Sequence, residues 1–218
     1  ILFGVAEDHD SNPIKIGLAQ LKARGVKIVS VNPVRTGYSA IADEWLGIRP
    51  GSDGLFVLSL VHELLRAGRV DTPSLARYSN APWLVIDDPG AADHGLFARG
   101  KDGEALIRDR RDGSLRSAKD AAADPDLKGE VLLADGRRAV PAFRLMAERY
   151  LDPRYAPAQV AAETGIPAAT IQRIAAELAQ AAFEEKVTIE QPWQDTAARP
   201  HARMIGRPVA MHAMRGIS

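Results

Sequence analysis

The sequence predicts an α/β fold: a doubly wound, mainly parallel, Rossmann-like sheet with an irregular insertion and a helical segment before its last strands. Three observations carry this expectation. Residues 1–31 read as strand, helix, strand, which is the minimal right-handed crossover between parallel strands. A third, shorter strand at Trp45-Leu46-Gly47-Ile48 runs into a helix start at Ser52 or Asp53. After a helical stretch from Pro141 to Phe183, strand-like patterns return at Val187-Thr188-Ile189 and Pro208-Val209-Ala210-Met211.

Each element has its own local reason. Ile1 to Val5 is a short apolar run closed by a glycine-containing loop, the pattern of a strand buried on both faces. Asn12-Pro13 offers a cap followed by proline in the first turn, and Ile14, Leu18 and Leu21 then share one helical stripe that Gly25 ends. Val26 to Val31 is the second strand. The helix beginning at Ser52 or Asp53 carries Leu55, Leu58, Leu60 and Leu64 towards Gly68. Residues 1–88 therefore form one α/β half, and 141–218 supply helices and returning strands of the same domain. Between them, 89–140 alternates apolar patches with Asp-Gly turns, with hairpin strands expected at Ala105–Ile107 and Val131–Leu133. The chain starts within ILFGVAED and stops within MHAMRGIS, both apparent strands, and is read as a piece of a larger protein.

Composition narrows the function classes. Of 218 residues, 28 are Lys or Arg and 28 are Asp or Glu, so the formal net charge is zero and the basic excess that drives phosphate-backbone binding is missing. There is no cysteine, so disulfides, thiolate metal sites, iron–sulfur clusters and a cysteine nucleophile are excluded within this segment. No apolar run approaches the roughly 18 residues of a membrane span.

One stretch, YAPAQVAAETGIPAATIQRIAAEL at 155–178, has the outline of a helix-turn-helix with its corner at Thr164-Gly165-Ile166-Pro167. A second helix starting there would present Ala168 and Ala169 first, and neither can read a base edge. Ile171, Ile174 and Leu178 make a core stripe, so the corner reads as packing geometry and no nucleic acid is expected as a partner. His62-Glu63 opens like a zinc-protease helix, but Arg66 stands where the second histidine is needed, and the two read as a surface pair. Glu7, Asp8, His9 and Asp10 are consecutive and cannot all converge on one ion, so no metal ligand is assigned. Trp83 and Trp193 are expected to pack against the sheet, with Trp193 able to border a cavity.

The densest chemistry lies in VNPVRTGYSAIADEWLGIRPGSDG, residues 31–54. In an open parallel sheet the ligand site lies beyond the carboxyl ends of the strands, here the loops after Val5, Val31 and Ile48. Gly51 lets backbone approach a ligand, the following helix start offers unpaired N–H groups, and Arg35 and Arg49 add positive charge. An aspartate there, Asp53, is misplaced for a phosphate but suits the paired N–H donors on guanine's edge. The same residues also suit a plain helix cap flanked by surface ion pairs.

The order N-P-x-R-T at 32–36, A-D-x-W-L-x-I-R-P-G-S-D-G at 42–54 and Y-x-P…T-G-I-P-A-x-x-I at 155–171 resembles the molybdopterin oxidoreductases of the dimethyl sulfoxide reductase family. GVAEDHDSNPIK and RPVAMHAMRGIS are weaker parts of the same likeness, which covers most of the chain outside the insertion. The resemblance implies a catalytic-subunit domain that holds one of two molybdopterin guanine dinucleotides around molybdenum. The iron–sulfur cluster, metal ligand and other domains of the parent would lie elsewhere, as would an iron–sulfur electron-transfer partner, and this segment alone would be inactive. Carried over by position, Asn32, Pro33, Arg35 and Thr36 line the guanosine end. Gly51, Ser52 and Asp53 close it, with Asp53 as guanine partner. Gly4, Val5, Ala6 and Asp8 face the pyrophosphate or pterin side, and Met214, Arg215 and Gly216 approach the same cofactor. No catalytic residue is implied. Two departures stand out: Asn32 occupies a position where the family more often has aspartate, and GVAED lacks the usual asparagine two residues after its glycine. A stand-alone nucleotide-binding module and, further off, a helix-turn-helix regulator are the alternatives.

Overall fold

The computed structural model describes residues 1–4, 14–35, 37–195 and 198–213. The chain divides into two compact units, Ile1–Arg69 with Pro153–Ser218, and Val70–Asp152.

The first unit opens with β1 (Leu2–Phe3), α1 (Ile14–Ala23), β2 (Val29–Val31), α2 (Tyr38–Ile41), β3 (Glu44–Leu46) and α3 (Asp53–Arg66). The three strands are parallel, with Phe3 level with Val31 and Val31 level with Leu46. Because side chains alternate between faces, this row of Phe3, Val31 and Leu46 shares one face and one core with Phe56 and Leu60 of α3. Leu2 points the other way, into a second cluster with Leu18 of α1, Ile28 and Tyr38. On that second face Ser30 and Ser39 join their hydroxyls at 2.6 Å, tying β2 to α2. Burial in α3 centres on Phe56, Ser59, Leu60 and Glu63. That is one helical stripe: of the expected Leu55, Leu58, Leu60 and Leu64 it keeps Leu60, and it turns towards Phe56, which packs against Phe3 with ring centroids 6.2 Å apart.

The second unit contains α4 (Thr72–Tyr78), β4 (Leu84–Ile86), β5 (Leu106–Arg108), β6 (Leu115–Ser117), β7 (Val131–Leu132), β8 (Arg138–Pro141) and α5 (Ala142–Tyr150). Its pairings are all antiparallel: β4 with β8, β7 with β8, and β5 with β6. Leu84, Ile86, Ala98 and Ala139 form its core, flanked by Leu106, Val131 and Leu133. Trp83 meets Phe97 edge-on with ring centroids 5.2 Å apart. The Asp-Gly-rich loops are ordered by Asp109, whose side chain has no solvent exposure. It accepts from the Arg111 backbone N–H at 2.9 Å, from the Arg111 guanidinium at 3.0 and 2.7 Å, and from the Asp124 N–H at 3.3 Å.

The chain then returns to the first unit with a 3-10 turn at Pro153–Tyr155, α6 (Pro157–Thr164) and α7 (Ala168–Phe183). Gly165 joins these helices with φ +75°, a left-handed conformation that closes α6 and costs glycine nothing. Ile171, Ile174 and Leu178 of α7 are buried in the core shared with α3, the core stripe that the sequence indicated. Beyond it come β9 (Val187–Ile189), β10 (Trp193–Gln194), β11 (Pro200–His201), β12 (Met204–Gly206) and β13 (His212–Ala213). β9 pairs with β12 and β10 with β11 as antiparallel ribbons, while β13 joins the main sheet beside β1, giving the order β13-β1-β2-β3. The returning strand is thus 212–213 and not 208–211: Pro208 has no N–H to offer a ladder, and the pairing of His212 with Leu2 fixes the register. Trp193 does not pack on the sheet. It stands 37% exposed on its ribbon, stacked on His201 at 4.6 Å.

Arg111 and the surrounding N–H donors hold the Asp109 carboxyl well below the usual carboxylate range. A depressed native value contributes stability above the unfolded-chain value, lost as pH falls below it. Asp109→Ala will therefore lower the urea midpoint at pH 7, and the gap from the unmodified chain will narrow below about pH 4. A gap that stays constant down to pH 3 would show that Asp109 is not the charged organiser of these loops.

Candidate functional site

The parallel register brings the carboxyl ends of three strands side by side. The Gly4 N–H donates to the Val31 carbonyl at 3.1 Å, and the Asn32 N–H donates to the Leu46 carbonyl at 3.1 Å. Gly4, Asn32 and Gly47, the residues immediately after β1, β2 and β3, therefore follow one another along a single edge. The Trp45 indole N–H donates to the Asn32 carbonyl at 2.9 Å, fixing the backbone at the end of β2. Its ring lies against Gly47, where an added Cβ would stand 2.9 Å from a ring carbon, so no side chain fits at 47 unless Trp45 moves. Sequence reasoning misses this Trp45–Gly47 pair, whose signal is an aromatic two residues before a glycine at a strand end.

From Gly47 the chain crosses to α3 through a segment tied down at several points. Ile48 is buried. The Arg49 N–H donates to the Thr164 carbonyl at 2.9 Å, and one guanidinium nitrogen of Arg49 donates to the Ala162 carbonyl at 2.8 Å. Arg49 thus closes the end of α6, where the sequence suggested either a free cation or a surface ion pair. Gly51 takes φ +82°, which only glycine adopts without strain, and space for a Cβ there is empty. Ser52 sits at the N-cap of α3, but its hydroxyl donates back to the Arg49 carbonyl at 2.7 Å and does not cap the helix.

Asp53 is the first residue of α3 and is 7% exposed. No other side chain bonds to its carboxylate among the described residues, and burial pushes the carboxyl up, opposed only by its own backbone N–H. Asn32 is 4% exposed. Its Oδ1 accepts from the Val34 N–H at 3.4 Å, and its Nδ2 has no partner among the described residues. Pro33 and Arg35 are exposed beside it. Of the residues singled out in the sequence, Gly4, Asn32, Pro33, Arg35, Gly51, Ser52 and Asp53 thus lie at or just beyond the carboxyl edge. Val5, Ala6, Asp8, Thr36, Met214, Arg215 and Gly216 lie outside the described residues.

Elsewhere, His62 and Glu63 are not the surface pair their polarity suggested. Both are buried in α3, with the Glu63 carboxylate held by Arg66 through two bonds of 3.0 and 2.8 Å. No group of three potential metal-ligating side chains converges among the described residues, and no helix there is long and apolar enough to cross a membrane.

The raised Asp53 carboxyl has a measurable cost. The native chain holds that proton more tightly than the unfolded chain, so stability falls as pH rises from the unfolded value of about 3.9 through the native one. Asp53→Asn escapes this loss. Its urea midpoint relative to the unmodified chain will climb across that window and then level off, whereas parallel profiles would mean that Asp53 is not buried in the charged form at neutral pH.

No protein-family model matches the chain. Among curated proteins it is 43% identical over 227 residues to a sulfite dehydrogenase subunit of Allochromatium vinosum, a match covering 100% of this chain and 23% of that relative. It is 24% identical to the perchlorate reductase alpha subunit of Dechloromonas aromatica, over 83% of this chain and 23% of the relative. Biotin sulfoxide reductase of Cereibacter sphaeroides is 34% identical over 32% of this chain and 9% of its own length. The chain spans about a quarter of the length of the first and second of these relatives. With the motifs at 32–36, 42–54 and 155–171 and the α/β architecture built around them, these matches identify the chain as part of a catalytic subunit of the dimethyl sulfoxide reductase family of molybdopterin oxidoreductases.

Proposed function

We propose that this chain binds the guanosine end of one molybdopterin guanine dinucleotide within a molybdenum oxidoreductase subunit. The observation that carries the proposal is Asp53: a buried carboxylate at a helix start, without a side-chain partner among the described residues. Guanine offers the matching chemistry, an N1–H and an amino N–H side by side, and two such bonds favour the ionised carboxylate that burial disfavours. The open space at Gly51 lets the base reach the start of α3. We read the parallel sheet, with helices on both faces, as half of a doubly wound Rossmann-like domain, in which a nucleotide belongs at this edge.

When bound, the cofactor supplies the metal centre at which two electrons are exchanged with substrate. The residues here orient it and do no chemistry themselves. Asp53 selects the base, Trp45 and Gly47 fix the end of β2 that frames it, and Arg35 adds positive charge at the rim. For the parent enzyme, the whole-chain match to a sulfite dehydrogenase favours an inorganic sulfur oxyanion as substrate. An iron–sulfur subunit would carry the electrons.

Calorimetric titration with guanosine diphosphate tests the site. The chain should bind it in preference to adenosine diphosphate. Asp53→Ala should weaken binding by about 10- to 100-fold, the range for losing hydrogen bonds to a charged group. Equal affinity for both nucleotides, or an unaffected variant, would remove Asp53 as the guanine acceptor.

A further inference from the structure

We infer that a cleft on the second unit docks an acidic, proline-containing segment of a separate protein, with proline rings against its flat walls and a carboxylate on Arg77. The cleft is formed wholly by residues of Val70–Asp152, none of which belongs to the proposed nucleotide site. It has a volume of about 440 Å³ and is open to solvent. It is lined by the end of α4 and the residues after it, by Pro82 and Trp83 just before β4, and by Ile107, Ala118 and Pro125. These walls are preformed. The Trp83 N–H donates to the Asn80 carbonyl at 3.0 Å, its ring is held edge-on by Phe97, and its backbone bridges to Ile107.

Arg77 is the one charged side chain among the lining residues. It is exposed, and no carboxylate reaches it among the described residues. Elsewhere in the unit, every arginine from Arg108 to Arg144 has a carboxylate partner. The acids flanking Pro125, Asp124 and Asp126, are held by Arg110 and Arg108. At the end of α4 it is the Ser79 hydroxyl that donates to the Leu75 carbonyl, at 2.7 Å. The Arg77 guanidinium is left over the Tyr78 ring, 5.9 Å from its centroid, a contact that in solvent leaves most of its charge free. The complement of this lining is a negative charge beside a flat apolar group. Tyr78, 80% exposed, and the half-buried Trp83 supply the flat faces. Proline rings pack on such faces, and a proline-rich chain is already extended, so it loses little entropy on docking. The open shape suits an extended chain better than an enclosed small molecule. A nucleic acid would call for several unneutralised cations, whereas one serves a carboxylate.

The test uses capped, fluorescently labelled hexapeptides of alternating glutamate and proline, alternating lysine and proline, and alternating glutamate and glycine. Fluorescence anisotropy gives their affinities for this chain and for the whole catalytic subunit, and the nuclear magnetic resonance signal of the Trp83 indole N–H in this chain reports the contact. Only the glutamate–proline peptide should saturate, with a Kd on the order of 0.1–1 mM, and it should move the Trp83 signal. Arg77→Glu should weaken that peptide about 10-fold and favour the lysine–proline peptide in its place. Tyr78→Ala should weaken it about 3-fold. Both variants change exposed side chains, and their circular dichroism should match that of the unmodified chain. The inference is overturned if the glutamate–proline peptide does not bind, binds without moving Trp83, is matched by the glutamate–glycine peptide, or is indifferent to Arg77→Glu. A single-stranded oligonucleotide that binds more tightly than the peptide overturns it too. So does a whole subunit that leaves the peptide unbound, because the cleft is then filled from within the subunit and not by a separate protein.

Discussion

The parallel hydrogen-bonded register of β1, β2 and β3 is the constraint on which the rest of this unit depends. It sets Phe3, Val31 and Leu46 in one row against α3, and in the same stroke aligns Gly4, Asn32 and Gly47 at one edge. A slip of one residue would turn each of those side chains to the opposite face and would empty both the core and the edge at once. The packing of Phe3 against Phe56 locks the register from the apolar side, and the Trp45 indole on the Asn32 carbonyl locks it from the polar side. Core and candidate site are therefore one construction, and the start of α3 is placed by both.

That construction carries groups a purely structural core would exclude. Among the described residues, Asp53 is buried without a side-chain partner and the Asn32 amide nitrogen is buried without an acceptor. Elsewhere Glu63 is bound by Arg66 and Asp109 gathers four donors, while Tyr38 Oη, Ser59 Oγ and His212 Nε2 are buried without a hydrogen-bond partner among the described residues. The contrast is physical. Glu63 and Asp109, charged groups that organise the fold, are paired within it, whereas the Asp53 carboxylate at the carboxyl edge of the sheet has no side-chain partner among the described residues. Local conflicts of this kind concentrate where a ligand supplies what the chain withholds.

The parts of this architecture that follow from local chemistry were legible in the sequence. α1 is marked by its apolar spacing and by Gly25, the start of α3 by Pro50-Gly51-Ser52, and the α6–α7 corner by Gly165. What long-range packing decides was not. β4 is three apolar residues between Pro82 and a pair of aspartates, too short to show alternation, and only its pairing with β8 makes it a strand. β13 is placed by Leu2, more than 200 residues away in sequence, and not by the Pro208–Met211 pattern. His62 and Glu63 looked like surface residues because their polarity says nothing of α3 being covered on more than one side. At the candidate site, the cluster at 31–54 was visible as chemistry. The role of Trp45 in holding Asn32, and the use of Arg49 to close α6, required knowing what faces each side chain.

The proposed site depends on whether the Asp53 carboxylate waits for the donor edge of a guanine. The most direct measurement is its own titration, followed by nuclear magnetic resonance of the side-chain carboxyl carbon with and without saturating guanosine. The expected result is an apparent pKa above that of an ordinary aspartate in the free chain, falling when guanosine binds, with adenosine having no such effect. An Asp53 that titrates normally in the free chain, or one whose pKa is unmoved by bound guanosine, would contradict it.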